Sequence, residues 1–174
     1  MNSLIILVSY HHKNTEKVAQ AIAGVIGAET ETPEQTDLKT LSNYDLIGFG
    51  SGIYFGKLDK NLLSLADKLP SVNGKKAFIF STSGTTGKGE GFHKGLREKL
   101  VAKGYAILGE FNCAGFDTYG LFKISGGIKK GRPNEADLKQ ASDFAQSLPE
   151  ERNKNYVPRL ILLKIQPLWG FEVS

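Results

Sequence analysis

The segment Val8-Ser9-Tyr10-His11-His12-Lys13-Asn14-Thr15-Glu16-Lys17-Val18 sets hydroxyl, cationic and amide side chains between an apolar run and an amphipathic stretch. That pattern can hold an anion. Residues 4–8 are apolar enough for a buried parallel strand, and Asn14 suits the N-cap of a helix whose apolar positions Val18, Ile22, Val25 and Ile26 share one face. The backbone N–H groups of Lys13, Asn14 and Thr15, with the hydroxyls of Ser9 and Thr15, can surround a phosphate at the positive end of that helix. The same residues also suit an ordinary capped turn, so this segment alone leaves both readings open.

Two further segments follow apolar runs. Gly50-Ser51-Gly52-Ile53-Tyr54-Phe55-Gly56-Lys57 combines glycines, which allow close backbone approach, with two adjacent aromatics. Ser81-Thr82-Ser83-Gly84-Thr85-Thr86-Gly87-Lys88-Gly89 offers mainly hydroxyls and exposed backbone. Ligands of open parallel sheets lie beyond the carboxyl ends of the strands. A phosphate cradle, an aromatic stacking surface and a polar edge gathered there fit a planar heteroaromatic phosphate ester, for which flavin mononucleotide (FMN) is the leading candidate. For the aromatics alone, a hydrophobic plug under a loop is an equal alternative.

The elements that position these loops read as alternating strands and helices. Apolar runs at 4–8, 45–50, 76–81 and 106–111, with a weaker strand at 28–32, are separated by segments of helical period. Asp59 caps a helix buried through Leu62, Leu65, Ala66 and Leu69. Phe92, Leu96 and Leu100 form the stripe of another, and Leu138, Ala141, Ala145 and Leu148 that of the last. Asn134, behind Pro133 and three positions before Asp137, resembles a capping box with Asp in place of Glu. The expectation is an α/β fold: a three-layer, doubly wound parallel sheet of five strands. Residues 113–132 form a long glycine- and aromatic-rich stretch of the kind that is commonly functional.

At 174 residues the chain fits one domain over 1–148, with an apolar C-terminal extension over 149–174. That extension is expected to dock on its own domain, on a partner subunit or, least favoured, on a membrane surface, and the second makes a homodimer one expected state. Its longest apolar run, residues 160–163, is too short to span a bilayer. Twenty-two basic residues are scattered among 18 acidic ones, net +4, without a basic block, so nucleic acid is not expected as a partner. The single cysteine, Cys113, cannot pair within the chain and reads as a small core residue. With no charged leader before an apolar stretch, a cytoplasmic location is expected.

The residues of these loops resemble the flavodoxin-like flavoproteins. His12-Lys13-Asn14-Thr15 lies where that family carries Thr-Gly-Asn-Thr; Gly50-Ser51-Gly52-Ile53-Tyr54-Phe55-Gly56 looks like its second loop and Ser81-Thr82-Ser83-Gly84 its third. The block from Gly109 to Tyr119, with Gly126-Gly127-Ile128 and Gly131-Arg132-Pro133-Asn134-Glu135, is similar to small single-domain members. The resemblance covers about residues 3–148. It implies a flavodoxin-like sheet of order 2-1-3-4-5, FMN at the carboxyl ends, and electron transfer to a redox partner protein or a small electron acceptor. By this resemblance Ser9, His12, Lys13, Asn14 and Thr15 hold the phosphate. Ser51, Gly52, Ile53, Tyr54, Phe55 and Gly56 form the second loop, with Tyr54 or Phe55 on one ring face. Ser83, Gly84, Thr85 and Thr86 bond the polar edge, and Phe116 or Tyr119 covers the other face. Two positions depart from the pattern: the family usually has glycine where Lys13 stands and a hydroxyl residue where His12 stands. The basic balance also departs from the acidic surface of typical flavodoxins.

Other motifs fall away. Gly84-Thr85-Thr86-Gly87-Lys88-Gly89 lacks the first glycine and the final hydroxyl of a P-loop. His11, His12 and His93 have no zinc-ligand spacing, and one cysteine cannot hold an iron–sulfur cluster. The leading reading is an FMN-binding electron carrier. Its rivals are an NAD(P)H-dependent FMN or quinone reductase and a binding module that kept the fold but lost the cofactor. No catalytic acid or base is assigned.

Overall fold

A computed structural model of the protein describes residues 1–10, 12–85, 89–118 and 126–148. Thr86, Tyr119, His11 and the 149–174 extension lie outside these residues, and so does any expectation placed on them.

The chain alternates as expected. Strand β1 (Ser3–Val8) leads to helix α1 (Asn14–Ile26), followed by the short strand β2 (Glu29–Glu31) and then β3 (Leu46–Tyr54). A two-residue strand β4 (Lys57–Leu58) precedes α2 (Lys60–Lys68), β5 (Lys75–Ser83), α3 (Gly89–Ala102), β6 (Tyr105–Ala114) and α4 (Glu135–Ser147). The five long-range strands pair in parallel in the order β2-β1-β3-β5-β6, the expected doubly wound order, and β4 adds an antiparallel sixth strand against β3.

Period-2 alternation sorts the core onto the two faces. Leu4, Ile6 and Val8 of β1, with Ile47, Phe49, Ala77 and Ile79, pack beneath Leu62, Leu65 and Ala66 of α2 and Leu96 and Leu100 of α3. Ile5 and Leu7, with Phe78, Phe80 and Cys113, pack beneath Val18, Ala19 and Ile22 of α1 and Ala141 and Ala145 of α4. Gly48 and Gly50 make room for this second layer: a Cβ would meet the Phe78 ring at 2.3 Å and the Phe80 ring at 2.1 Å. The capping box is present, Asp137 N–H donating to Asn134 Oδ1 at 3.1 Å and Asn134 N–H to Asp137 Oδ2 at 2.8 Å. Asp59 caps α2 by accepting from Asn61 N–H at 2.8 Å.

Four local readings change. Asn14 is the first helical residue rather than the cap; Lys13 holds the cap position in the left-handed region, with no side-chain cap bond. Val25 is exposed, and Ala19 takes its place on the buried face of α1. In α3 the buried stripe is His93, Leu96 and Leu100, with Phe92 only half-buried. Finally, β3 and β5 run on past their apolar stretches. Ser51 pairs with Ser81 and Gly52 with Thr82, because parallel neighbours keep supplying backbone partners after the apolar side chains end. Among the described residues no helix is long and apolar enough to cross a membrane.

Candidate functional site

The carboxyl ends of β1, β3, β5 and β6 converge on one cleft at the point where the strand order reverses, between β1 and β3. It is a cleft of about 110 Å³, partly open to solvent.

The first wall is the β1–α1 loop. His12 and Lys13 both adopt left-handed backbone, φ 56° and 53°, and turn the chain so that α1 starts at the cleft with Asn14 and Thr15 lining it. First-turn amides of a helix have no carbonyl partner within it, so those of Asn14 and Thr15 are available to an anion. Ser9 also lines the cleft, and its hydroxyl accepts from Glu16 N–H at 3.3 Å. Thr15 is buried and hydrogen-bonded to the Thr82 hydroxyl at 2.9 Å, tying β1's loop to β5. Asn14 is 8% exposed. Its Nδ2 donates to the Phe116 carbonyl at 2.8 Å, while its Oδ1 is buried with no partner among the described residues.

His12 and Lys13 do not line the cleft. The His12 ring lies 4.4 Å from that of Phe116 and its Nε2 is 3.0 Å from the Thr118 hydroxyl, so it braces the loop after β6. Lys13 is exposed and pairs with Glu16 at 3.3 Å across one helical turn.

The second wall is a hairpin where the sequence reads as a loop. Phe55 and Gly56, at φ 52° and 76°, form the two-residue turn between β3 and β4, a geometry that matches strand twist but favours Asn or Gly. Gly52, Ile53, Tyr54 and Phe55 face the cleft; Ser51 and Gly56 do not. Ser51 works inside the fold, donating to the Gly52 carbonyl at 2.7 Å and accepting from Asp59 N–H at 2.9 Å, which fastens the hairpin to the start of α2. Tyr54 lies over Gly52, where a Cβ would meet its Oη at 2.8 Å, and its ring is 6.0 Å from that of Tyr10. Burial, with help from the Asp59 carboxylate, raises the Tyr54 phenol above its ordinary value, so it stays protonated. Phe55 is 87% exposed at the tip.

The third wall joins the end of β5 to the loop after β6. Ser83 and Gly84 line the cleft and Thr85 does not. The Ser83 hydroxyl donates to the Thr85 carbonyl at 2.5 Å, and Gly115 N–H donates to the Ser83 carbonyl at 2.9 Å. Gly84 is required by a close approach: a Cβ would meet Ile128 at 2.9 Å and the Asp117 carboxylate at 3.0 Å. Phe116 lines the cleft, and so do Thr82, Gly115 and Asp117, which the sequence did not single out. Asp117 and Ile128 exchange backbone hydrogen bonds, which pins this loop. Cys113 is buried nearby, and burial pushes its thiol up to about 12, as for an inert core cysteine.

Three sets of groups thus face one another: helix-start amides beside the buried Asn14 Oδ1, two aromatics on a hairpin, and the polar wall of Ser83, Gly84 and Asp117. An uncharacterized protein of Methanocaldococcus jannaschii is 51% identical over 148 residues, covering 85% of this chain and 98% of that protein. In structure the chain is similar to the Streptococcus pneumonia TIGR4 flavodoxin (TM-score 0.64, 15% identity, 85% and 97% of the two chains). It is similar also to oxidised Flavodoxin 2 from Bacillus cereus (TM-score 0.63, 20% identity, 85% and 97%). A family model described as the flavodoxin domain matches residues 5–111, and the chain belongs to that family.

Proposed function

We propose that the protein binds FMN in this cleft and acts as an electron carrier for a redox partner protein or a small acceptor in the cytoplasm. The observation that carries the reading is the opposition, across one cleft at the strand-order switch point, of the α1 N-terminus and the Tyr54–Phe55 hairpin. The donor and acceptor set fits the cofactor. Phosphate suits the α1 amides, and the unpaired Asn14 Oδ1 suits a hydroxyl of a polyol chain, because an acceptor cannot bind phosphate oxygens. The Asn14 side chain would thus serve the sugar chain, while its backbone N–H, at the start of α1, stays with the phosphate. Tyr54, Phe55 and Phe116 offer apolar faces to a planar ring system.

When bound, FMN supplies one- and two-electron transfer, and the chain's own residues hold it and set its surroundings. Thr15 and Thr82 keep the phosphate loop against the sheet. Phe55 excludes water from a ring face while leaving the hairpin tip exposed for a partner. Lys13 in place of glycine does not argue for loss of the cofactor, since its backbone takes the left-handed conformation that glycine would take.

The test is to titrate the apoprotein with FMN while following flavin fluorescence, then to titrate the complex potentiometrically. Saturable quenching at micromolar FMN and separation into two one-electron steps are expected. Absence of quenching rejects the cofactor, and rapid NAD(P)H oxidation with a quinone would replace carrier by reductase.

A further inference from the structure

Behind the third wall lies a buried polar chain that meets the cleft lining only at Ser83. Ser81 and His93 are both fully buried, and His93 Nε2 is 2.7 Å from the Ser81 hydroxyl. On the other side of the ring, His93 Nδ1 is 2.9 Å from Glu110 Oε2, which also accepts from Arg97 Nη2 at 2.8 Å. Asn112 Nδ2 donates to the Ser81 hydroxyl at 2.9 Å and to the Ser83 hydroxyl at 3.2 Å. Serine, histidine and carboxylate in this order make a hydrolytic triad elsewhere, but a serine with no exposed surface cannot meet a substrate.

The directions of the hydrogen bonds can be assigned from one end to the other. Glu110 is ionised: burial works against the charge, but the hydrogen bonds from Arg97 and His93 overcome it and hold the carboxyl down at about 2. An ionised carboxylate only accepts, so His93 Nδ1 carries a proton, and the Ser81 hydrogen is given to Nε2, the acceptor 2.7 Å away. The Ser81 oxygen then accepts from Asn112, whose amide also reaches Ser83. The Ser83 hydrogen is left for the Thr85 carbonyl.

We propose that His93 is a positioning residue for the cleft: through Ser81 and Asn112 it fixes the Ser83 hydroxyl onto the Thr85 carbonyl, and so sets the shape of the Ser83–Gly84 wall that meets the ligand. The inference rests on the flavin reading of that cleft. It also gives the chemistry of the wall. With its hydrogen committed to Thr85, the Ser83 oxygen faces a ligand as an acceptor, suited to an N–H on the edge of a heteroaromatic ring.

Two measurements test it. Nitrogen-15 NMR of the histidine rings at neutral pH is expected to show His93 as the Nδ1–H tautomer with Nε2 accepting; an Nε2–H tautomer or a doubly protonated ring overturns the assignment. FMN titrations then compare wild type, Ser81→Ala, Ser83→Ala and the double variant, with folding checked by circular dichroism. Each single change is expected to raise Kd about tenfold, and the double variant to bind no worse than Ser83→Ala, because both act on one group. His93→Gln, whose amide can accept from Ser81 and donate to Glu110, is expected to bind better than His93→Leu. Additive losses, or a folded Ser81→Ala protein with wild-type Kd, overturn the inference while leaving the flavin reading standing. A wild-type protein that does not bind FMN removes both.

Discussion

At the residue scale, the two left-handed residues before α1 decide how the anion loop is made. A non-glycine residue in that region costs about 1 kcal/mol, and His12 offsets part of this by bracing Phe116 and Thr118, whereas Lys13 makes only a surface pair with Glu16. Such pairs contribute roughly 0–1 kcal/mol, so the Lys13 ammonium is available to a phosphate nearby. Separate replacements divide backbone from charge. Lys13→Gly is expected to stabilise the apoprotein by about 0.5–1 kcal/mol in urea denaturation. Lys13→Ala is expected to leave stability nearly unchanged but to raise the FMN Kd several-fold at low salt, with the difference shrinking as salt screens the charge. Equal Kd values at low salt would show that the ammonium does not meet the phosphate. The importance of Asn14 was legible from its place at the start of a helical pattern. Its role was not, because only the approach of Phe116, 102 residues away in sequence, reveals which of its amide atoms is left unpaired.

At the element scale, strand and helix positions followed apolar periodicity, and the errors came where polar residues are buried. The runs ending at Gly50 and Ser81 read as strand ends, yet β3 and β5 continue for several residues, because pairing with neighbours rather than apolarity sustains them. His93 sits at helical spacing from Leu96 and Leu100, a signal that becomes readable only once Ser81, Glu110 and Asn112 are known to face the same side of the sheet. The hairpin gives a direct trade between stability and binding. Phe55→Asn suits the turn and is expected to stabilise the apoprotein by about 0.5–1 kcal/mol, while weakening FMN binding and shifting the flavin midpoint potential. An unchanged potential would remove Phe55 from the ring contact. The Glu110 cluster has a pH signature. Its carboxyl is held at about 2 in the fold; a depressed group stabilises above its unfolded pKa, and that contribution is lost as pH falls through the folded value. The shift corresponds to about 3 kcal/mol, so wild type is expected to exceed Glu110→Gln by that order at pH 7. The gap should hold down to about pH 4.5 and close towards pH 2 in urea denaturation. A gap independent of pH would mean that the ion pair does not carry the difference.

At the scale of the whole molecule, the sheet and its two helical layers are complete without a ligand. Both core clusters lie below the carboxyl ends of the strands, and the cleft is lined by loop and strand-end residues that largely do not belong to them. Folding and binding are therefore expected to be separable: the apoprotein should unfold cooperatively, with native secondary structure, before any flavin is added. Binding to the folded state alone then raises stability by RT ln(1 + [L]/Kd), about 2.7 kcal/mol at a hundredfold excess over Kd. For a domain of this size, each kcal/mol shifts Tm by about 2–4 °C, so a rise of roughly 5–11 °C is expected in FMN at that concentration. Riboflavin shares the ring and polyol but lacks the phosphate that the α1 amides would receive, so at equal concentration it should raise Tm less. If riboflavin matched FMN, the helix N-terminus would not be the anchor, and affinity would have to come from the Tyr54–Phe55 hairpin and the Ser83–Gly84 wall.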